Sequence, residues 1–272
     1  MKRLIRTYLP FTLNQIKSSL AYRWSAMLWF FIGLFQPFIT YYLWQAIYGS
    51  SAGGVLGGLT RDEMTVYVFL SHVVASAAMI SIDDLMADDV EDGRVIMNLI
   101  KPIDYRASLV SRALGEMLFS LVCPGIFLLV GVELYKGFVL GMGFIQSGRL
   151  LLFALSMFLS FLVYVLFDFC FGLVAFVTTY FLGLFLIRSA VLSFLTGQLI
   201  PLTFFPEVVQ RIFRLLPFSS MVYTPVMIYL GKLHGREMVL ALATQAVWVV
   251  LLYLLGSFCW KRITKRLVVL GG

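Results

Sequence analysis

Apolar residues occur along this chain in long blocks that short polar stretches separate. A helix needs about 20 largely apolar residues to cross a bilayer, and the blocks are long enough for this. We therefore predict an all-α integral membrane protein with six transmembrane helices. The predicted spans are residues 24–48, 64–82, 113–134, 149–177, 181–205 and 238–260.

The N-terminal segment, residues 1–23, has a helical period but carries too many charges to span a membrane. Leu9 and Leu13 fall on one stripe of the helix, whereas Lys2 and Lys17 fall elsewhere. This pattern is typical of an amphipathic helix that lies in the membrane interface. We predict an interfacial helix at this end of the chain.

A second amphipathic stretch precedes the last predicted span. Pro206 and Pro217 bracket a helical period in which Arg211 and Arg214 lie on the polar side. The residues that follow are too few, and too interrupted by a proline, to cross a bilayer. We predict that residues 206–232 form a re-entrant or interfacial helical pair.

The composition agrees with a membrane-embedded chain. Of the 272 residues, 61% are hydrophobic and 13% are charged, whereas charged residues make up about 25% of soluble domains. The predicted elements use the whole chain and leave no room for a separate soluble catalytic domain. The net charge of +7 comes from Lys and Arg beside apolar runs, which favours contact with membrane lipids and not with nucleic acid. Both termini are basic, so both are predicted to be cytosolic.

Sequence motifs for catalysis, nucleotide binding and metal binding are missing. The chain contains no GxxxxGK[ST], HExxH, CxxC or GxSxG pattern. Its three cysteines lie inside apolar runs, and its two histidines are far apart in sequence. We predict no catalytic residue, no metal site and no cofactor bound by this chain.

The most polar stretch of the chain, residues 83–112, follows the second predicted span. Its first part can form a short helix with an apolar edge and a carboxylate-rich edge. One interpretation is a solvated loop that keeps the helix ends in water, and the other is a docking surface for a cytosolic partner. The charged residues of this surface are Asp83, Asp84, Asp88, Asp89, Glu91, Asp92 and Arg94.

Two ionisable residues lie within apolar blocks. Asp168 and Arg188 flank a predicted chain reversal at residues 178–180, each about ten residues away. Antiparallel fourth and fifth helices would bring them to a similar depth. One interpretation is a structural ion pair. The other is a polar patch on a transport route, because ionisable groups inside a membrane are costly and often mark pathways.

Two ordered motifs resemble the ABC-2 group of transporter permeases. The first follows the second predicted span and consists of Gly93, Leu99, Lys101-Pro102 and Tyr105. The second is the long run FLTGQLIPLTFFPEVVQRIFRLLPFSSMVYTPVMIYLG at residues 194–231. It is similar to the pattern of that group in which F-x-[ST]-G, P-L, F-P, L-P-F, a further proline and a closing glycine follow in order.

The resemblance implies a transmembrane subunit of an ATP-driven exporter in the bacterial cytoplasmic membrane. It implies a dimer with a second permease chain, identical or different, and two copies of a separate ATPase subunit that binds ATP and Mg²⁺. Residues 83–94 would then be the ATPase-coupling helix and residues 206–232 an outer lid. Relatives of this subgroup often carry acidic residues where this chain has residues 178–180, so the sequence departs from the pattern there.

Two other functions compete with this interpretation. A membrane-embedded lipid-modifying enzyme would need ionisable residues clustered at one interface, and only the acidic stretch offers carboxylates. An ATP-independent secondary transporter would show internal repeats or more polar residues at mid-membrane, and the sequence contains no internal repeat. The substrate stays open among drugs, peptides, lipids and polysaccharide precursors.

Overall fold

The computed structural model describes residues 2–51, 53–176, 178 and 181–270. Helices make up 82% of the chain. The α-helices of the first half are α1 (Lys2–Ala21), α2 (Arg23–Ser50), α3 (Arg61–Ala78), α4 (Ile82–Glu91), α5 (Arg94–Leu99), α6 (Tyr105–Ser120) and α7 (Ile126–Leu134). Those of the second half are α8 (Ser147–Gly172), α9 (Phe181–Leu195), α10 (Glu207–Leu215), α11 (Tyr223–Tyr229) and α12 (Gly235–Leu270).

These helices form an all-α membrane protein. Within the described residues, Arg61–Glu91, Ser147–Phe176 and Gly235–Lys265 are long and apolar enough to cross a bilayer, and Gly183–Leu195 is a shorter apolar helix. The third predicted span is divided because a π-helical turn at Leu121–Gly125 separates α6 from α7. The count of six crossings stays a prediction.

Two helices end earlier than the apolar blocks from which their spans were predicted. The second span was predicted to reach residue 82, but α3 ends at Ala78, and Met79 leaves helical geometry before α4 begins. The fifth was predicted to reach residue 205, but α9 ends at Leu195 and Gly197 follows at φ +81°. The carbonyl of Gly197 accepts a hydrogen bond of 2.6 Å from the Tyr67 hydroxyl. This bond satisfies a backbone carbonyl that lies inside the bundle beyond the end of the helix.

The polar stretch 83–112 is helical for most of its length, whereas a loop was one of its two interpretations. It contains α4, α5 and the start of α6. Asp104 caps α6, because its side chain accepts from the backbone N–H of Arg106 at 2.9 Å and of Ala107 at 3.4 Å. Burial opposes the charged form, but these bonds and the Arg106 guanidinium outweigh it and lower the pKa of the Asp104 carboxyl.

A small hairpin joins α2 to α3. Strands β1 (Val55–Leu56) and β2 (Leu59–Thr60) pair antiparallel, and Gly57 and Gly58 turn the chain at φ +55° and +75°. A Cβ at Gly57 would lie 2.9 Å from the Phe204 ring. The hairpin therefore packs against the segment before α10.

The core lies between α3, α8 and α11. The largest fully buried side chains include Tyr67, Phe161 and Tyr229. Every residue of α11 is buried, so the second half of the predicted re-entrant or interfacial pair is part of the core and does not lie on the surface. Only α10 of that pair lies on the surface, because the seven residues of α11 pack inside the bundle.

Candidate functional site

The polar centre of the bundle is an ion cluster of Asp83, Asp168 and Arg188, which come from α4, α8 and α9. The Arg188 guanidinium forms an ion pair with Asp168 and lies 2.9 Å from a carboxylate oxygen of Asp83. Both carboxylates are fully buried, and Arg188 is 6% exposed. The structure thus brings together the two predicted intramembrane residues and adds Asp83 to them.

Asp168 also holds the beginning of α4. One of its oxygens accepts from the backbone N–H of Ile82 at 2.9 Å and of Asp83 at 3.2 Å. The preceding residue, Ser81, makes no side-chain capping bond, so Asp168 replaces a local cap. A side chain from α8 therefore fixes the N-terminus of α4, where negative charge also interacts favourably with the helix dipole.

The approach of α4 to α8 is close because Gly172 has no side chain. A Cβ there would lie 2.9 Å from the Met86 sulfur and 3.0 Å from the Asp83 Cα. A larger residue at position 172 would push α4 away from α8. Gly172 and the cap from Asp168 together fix the position of α4 against α8.

The charges of the ion cluster do not balance, since two carboxylates face one guanidinium. Arg188 also lies 5.3 Å and 5.0 Å from the ring centroids of Phe171 and Phe185, which adds cation–π attraction. Tyr164 accepts a weaker bond from Arg188 at 3.4 Å. Within the described residues, neither oxygen of Asp83 has a hydrogen-bond partner apart from the ion pair that one of them forms with Arg188. A buried charge without its partner is strongly destabilising, so the integrity of the cluster depends on Arg188.

The predicted coupling residues separate into a buried and an exposed set. Asp83 and Asp89 are buried, so neither can contribute to an exposed docking surface in this arrangement. Asp84 is half-buried. The exposed members are Asp88, Glu91, Asp92 and Arg94.

Asp89 faces inward because it follows Ile82 and Met86 at helical spacing, and these two belong to the apolar core. Its carboxylate accepts from Arg94 Nε at 3.1 Å, Asn98 Nδ2 at 3.0 Å and the Tyr105 hydroxyl at 2.9 Å. Asp89 therefore joins α4, α5 and α6. The helical spacing was present in the sequence and could have placed Asp89 on the inner face.

A second set of contacts connects this region to α12. The Tyr105 ring stacks on Trp260 with centroids 5.4 Å apart, and Arg106 donates to the Ser257 hydroxyl at 2.8 Å. Arg106 also pairs with Asp104 at 2.9 Å. At this end of the bundle, α4, α5, α6 and α12 are thus joined to one another by side-chain contacts.

The predicted lid residues lie at the opposite end. Pro206 is exposed and begins α10, and Pro217 is buried and begins a short 3₁₀ turn. Arg211 is exposed and lies 3.5 Å from Glu207, and Arg214 is also exposed. Neither arginine contacts the ion cluster, so the structure does not bring the lid residues to the α4 end.

Sequence reasoning missed a buried contact that attaches α11 at the lid end. The Glu133 carboxylate accepts from Lys136 at 2.7 Å, from the backbone N–H of Ile145 at 3.2 Å and from the Tyr229 hydroxyl. Lys136 lies 4.8 Å from the centroid of the Tyr229 ring. Only a Glu three residues before a Lys was visible in the sequence, and that spacing is common on exposed helices.

The described part of the chain contains no metal site, because no three His, Cys, Asp or Glu side chains there lie close enough together to hold an ion.

A small crevice between α2 and α3 has polar groups in its wall. It is lined in part by Gln36, Ser71, His72 and Gln198, and the Ser71 hydroxyl donates to the carbonyl of Gln198 at 3.3 Å. These groups bring polarity into the apolar layer near Pro37.

Comparison with known proteins identifies the family. A search of curated proteins finds no match to this chain. The profile of a family described as "ABC-2 family transporter protein" matches residues 34–271. The match covers α3 to α12 completely, together with most of α2, and it confirms the resemblance that the two motifs indicated. The chain belongs to the ABC-2 family of transporters and is a multi-pass membrane subunit of that family.

Proposed function

We propose that this chain is the permease subunit of an ATP-driven exporter in the bacterial cytoplasmic membrane, with both termini in the cytosol. It pairs with a second permease chain, identical or different, and with two ATPase subunits that bind ATP and Mg²⁺. The substrate is amphipathic, of the lipid-like, peptide or drug class. Family membership supports the permease role, and the geometry of α4 supports the coupling to an ATPase.

The observation that carries the proposal is the two-sided character of α4. Its exposed edge presents Asp88, Glu91 and Asp92, a carboxylate surface suited to a basic patch on a partner. Its buried edge presents Asp83, which the ion cluster connects to α8 and α9. A partner that moves α4 therefore also moves two apolar helices of the bundle.

The opposite end of the bundle supplies a second element of the proposal. Amphipathic α10 covers the surface there, and Trp248 of α12 donates to the carbonyl of Leu215 at 2.9 Å. Lys232 pairs with Glu63 at 2.7 Å and attaches the segment after α11 to the start of α3. These contacts support an outer lid over residues 206–232, with α10 on the surface and α11 buried beneath it, that opens when α3 and α12 separate.

Co-purification tests the coupling. The chain is expressed with the genes next to its own, extracted in mild detergent and assayed for a bound Walker-type ATPase. The Asp88→Lys/Glu91→Lys variant should lose the ATPase, because both side chains are exposed and the change reverses the charge offered to a basic partner surface. The matched control is Glu207→Lys/Glu237→Lys, which makes the same charge change on exposed residues of α10 and α12.

Retention of the ATPase by the wild type and by the control, with loss from the α4 variant, supports coupling through this surface. Equal retention by both variants would move the contact away from α4. No ATPase in any preparation would contradict the proposed exporter. Size-exclusion profiles of both variants show whether the permease itself is folded.

A further inference from the structure

An apolar cavity of about 210 Å³ lies between α3, α8 and the divided helix α6–α7. All of its lining side chains are apolar, so a water molecule would find no polar partners there, although it needs two to four of them. The residues that form the cavity include Met117, Leu121, Ile126, Phe153, Ala154 and Met157.

The break between α6 and α7 gives the cavity its shape. The π-helical turn Leu121–Gly125 inserts extra backbone between α6 and α7, and Gly125 brings no side chain to the wall. On the facing helix, Ala154 is the smallest lining side chain. Space therefore remains where two regular helices with larger residues would pack closely.

The cavity extends from the surface of the bundle to its interior. Ile126 is 50% exposed and Leu150 is 40% exposed, whereas Phe153 and Met157 are 3% and 6% exposed. The exposed rim lies on helices that the bilayer surrounds. An elongated apolar molecule can thus enter sideways from the hydrocarbon layer and reach the buried wall.

A positive residue is the sequence neighbour of the rim residue Leu150. Arg149 is in the first turn of α8 and directly precedes Leu150. Its guanidinium packs over Gly231, where Nη1 is 2.6 Å from the position that a Cβ would take. Within the described part of the chain, no side chain or carbonyl bonds to Arg149, so its donors are available to a phosphate.

We propose that this cavity binds one acyl chain of an anionic membrane phospholipid, whose phosphate lies at Arg149. The lipid sits at the end of the bundle where α8 begins, which is opposite to the end that carries α4. A cavity of roughly 150 Å³ with apolar walls stays dry and holds benzene, so the larger cavity here accommodates a run of methylene groups. This site does not depend on the proposed exporter function.

Photo-cross-linking tests the site. Purified wild-type protein is reconstituted in vesicles of phosphatidylethanolamine and phosphatidylglycerol that contain phosphatidylglycerol with a diazirine in its acyl chain. After irradiation, mass spectrometry of peptides locates the label. We expect the label to be enriched on α7 and the first half of α8 over the more exposed surface of α12.

Two variants make the test specific. Ala154→Phe fills the cavity and should abolish the enrichment, whereas Ala246→Phe makes the same change on the exposed surface of α12 and should leave it intact. Arg149→Gln should reduce the labelling by phosphatidylglycerol. Ala154→Leu is the smaller filling substitution if the phenylalanine variant does not fold.

Labelling of α7 and α8 no stronger than that of α12 would overturn the proposal, as would enrichment that persists in a folded cavity-filling variant. Enrichment that is lost in the Ala154 variants and kept in Ala246→Phe supports an acyl-chain site. Because the vesicles contain only defined phospholipids, a positive result identifies a phospholipid as the occupant.

Discussion

Arg188 is the single residue on which most buried charge depends, because it faces both Asp83 and Asp168. Arg188→Met leaves two buried carboxylates without a counter-ion, and we expect a loss of stability of about 3–5 kcal/mol. The change is measured as a lower midpoint of thermal unfolding in detergent. Arg211→Met, at an exposed position, is the control and should shift the midpoint little.

Removal of the charges together separates electrostatics from packing. In the variant Asp83→Asn/Asp168→Asn/Arg188→Met no unpaired charge remains, so part of the lost stability should return. If the triple variant is no more stable than Arg188→Met alone, charge compensation is not what the guanidinium provides.

The sequence allowed the similar depth of Asp168 and Arg188 to be predicted, since both are about ten residues from a chain reversal. Residues 179 and 180 of that reversal lie outside the described residues. Asp83 was assigned instead to an exposed surface. Its place in the cluster depends on how α4 folds back under α8, and helical periodicity carries no information about such a tertiary contact.

At the scale of one element, α1 packs along α6 through a small residue. A Cβ at Gly115 would lie 2.4 Å from the carbonyl oxygen of Thr12, so Gly115→Ala must separate the two helices. We expect a loss of about 1–3 kcal/mol, measured by thermal unfolding together with limited proteolysis of α1. The control is Gly131→Ala on α7, where a Cβ meets nothing within 4 Å, and helix propensity makes this change neutral or stabilising.

The beginning of α6 should respond to pH through Asp104. Because its folded pKa is lowered, its stabilising contribution is fully present above the unfolded value of about 3.9 and is lost as pH falls through the folded pKa. Asp104→Ala should cost about 0.5–2 kcal/mol at neutral pH. The difference from wild type, followed by thermal unfolding between neutral and acidic pH, should shrink as the wild-type carboxyl becomes protonated.

Asp104→Asn keeps a capping oxygen without the titration. It should retain most of the stability at neutral pH and show a smaller pH dependence than the wild type. A pH dependence equal to that of the wild type would assign the titration to another group.

Element types were easier to predict than their ends. Apolar block length indicated the helices, but the end of α9 at Leu195 depends on the left-handed Gly197 and on the bond from Tyr67. The glycines of the hairpin before α3 indicate a turn in the sequence, but they do not reveal the ring of Phe204 that packs against it. Both features rest on distant partners that no local pattern contains.

For the whole molecule, labelling tests the predicted topology, in which three spans separate residue 91 from residue 207 and place them on opposite sides of the membrane. In a variant whose native cysteines are replaced by alanine, Glu91→Cys and Glu207→Cys each place one exposed thiol at opposite ends of the bundle. We expect a membrane-impermeant maleimide added to intact cells to label position 207 and not position 91. Inverted vesicles should give the reverse, and labelling of both positions from one side would contradict the predicted topology.

The contact between Asp168 and the first amides of α4 has a mechanical consequence. A helix of ten residues is about 15 Å long, and this one is held at its first turn, while Gly93 at φ +68° ends it at the other. Hydrogen bonds tolerate a change in angle better than a slip of more than about 0.5 Å, so the bonds to Asp168 resist sliding of α4 more than tilting. In the proposed coupling, α4 would therefore act as a lever with its fulcrum at Asp168, and a force near Glu91 would reach α8 as torque, while the bonds of Asp89 carry α5 and the start of α6 with it.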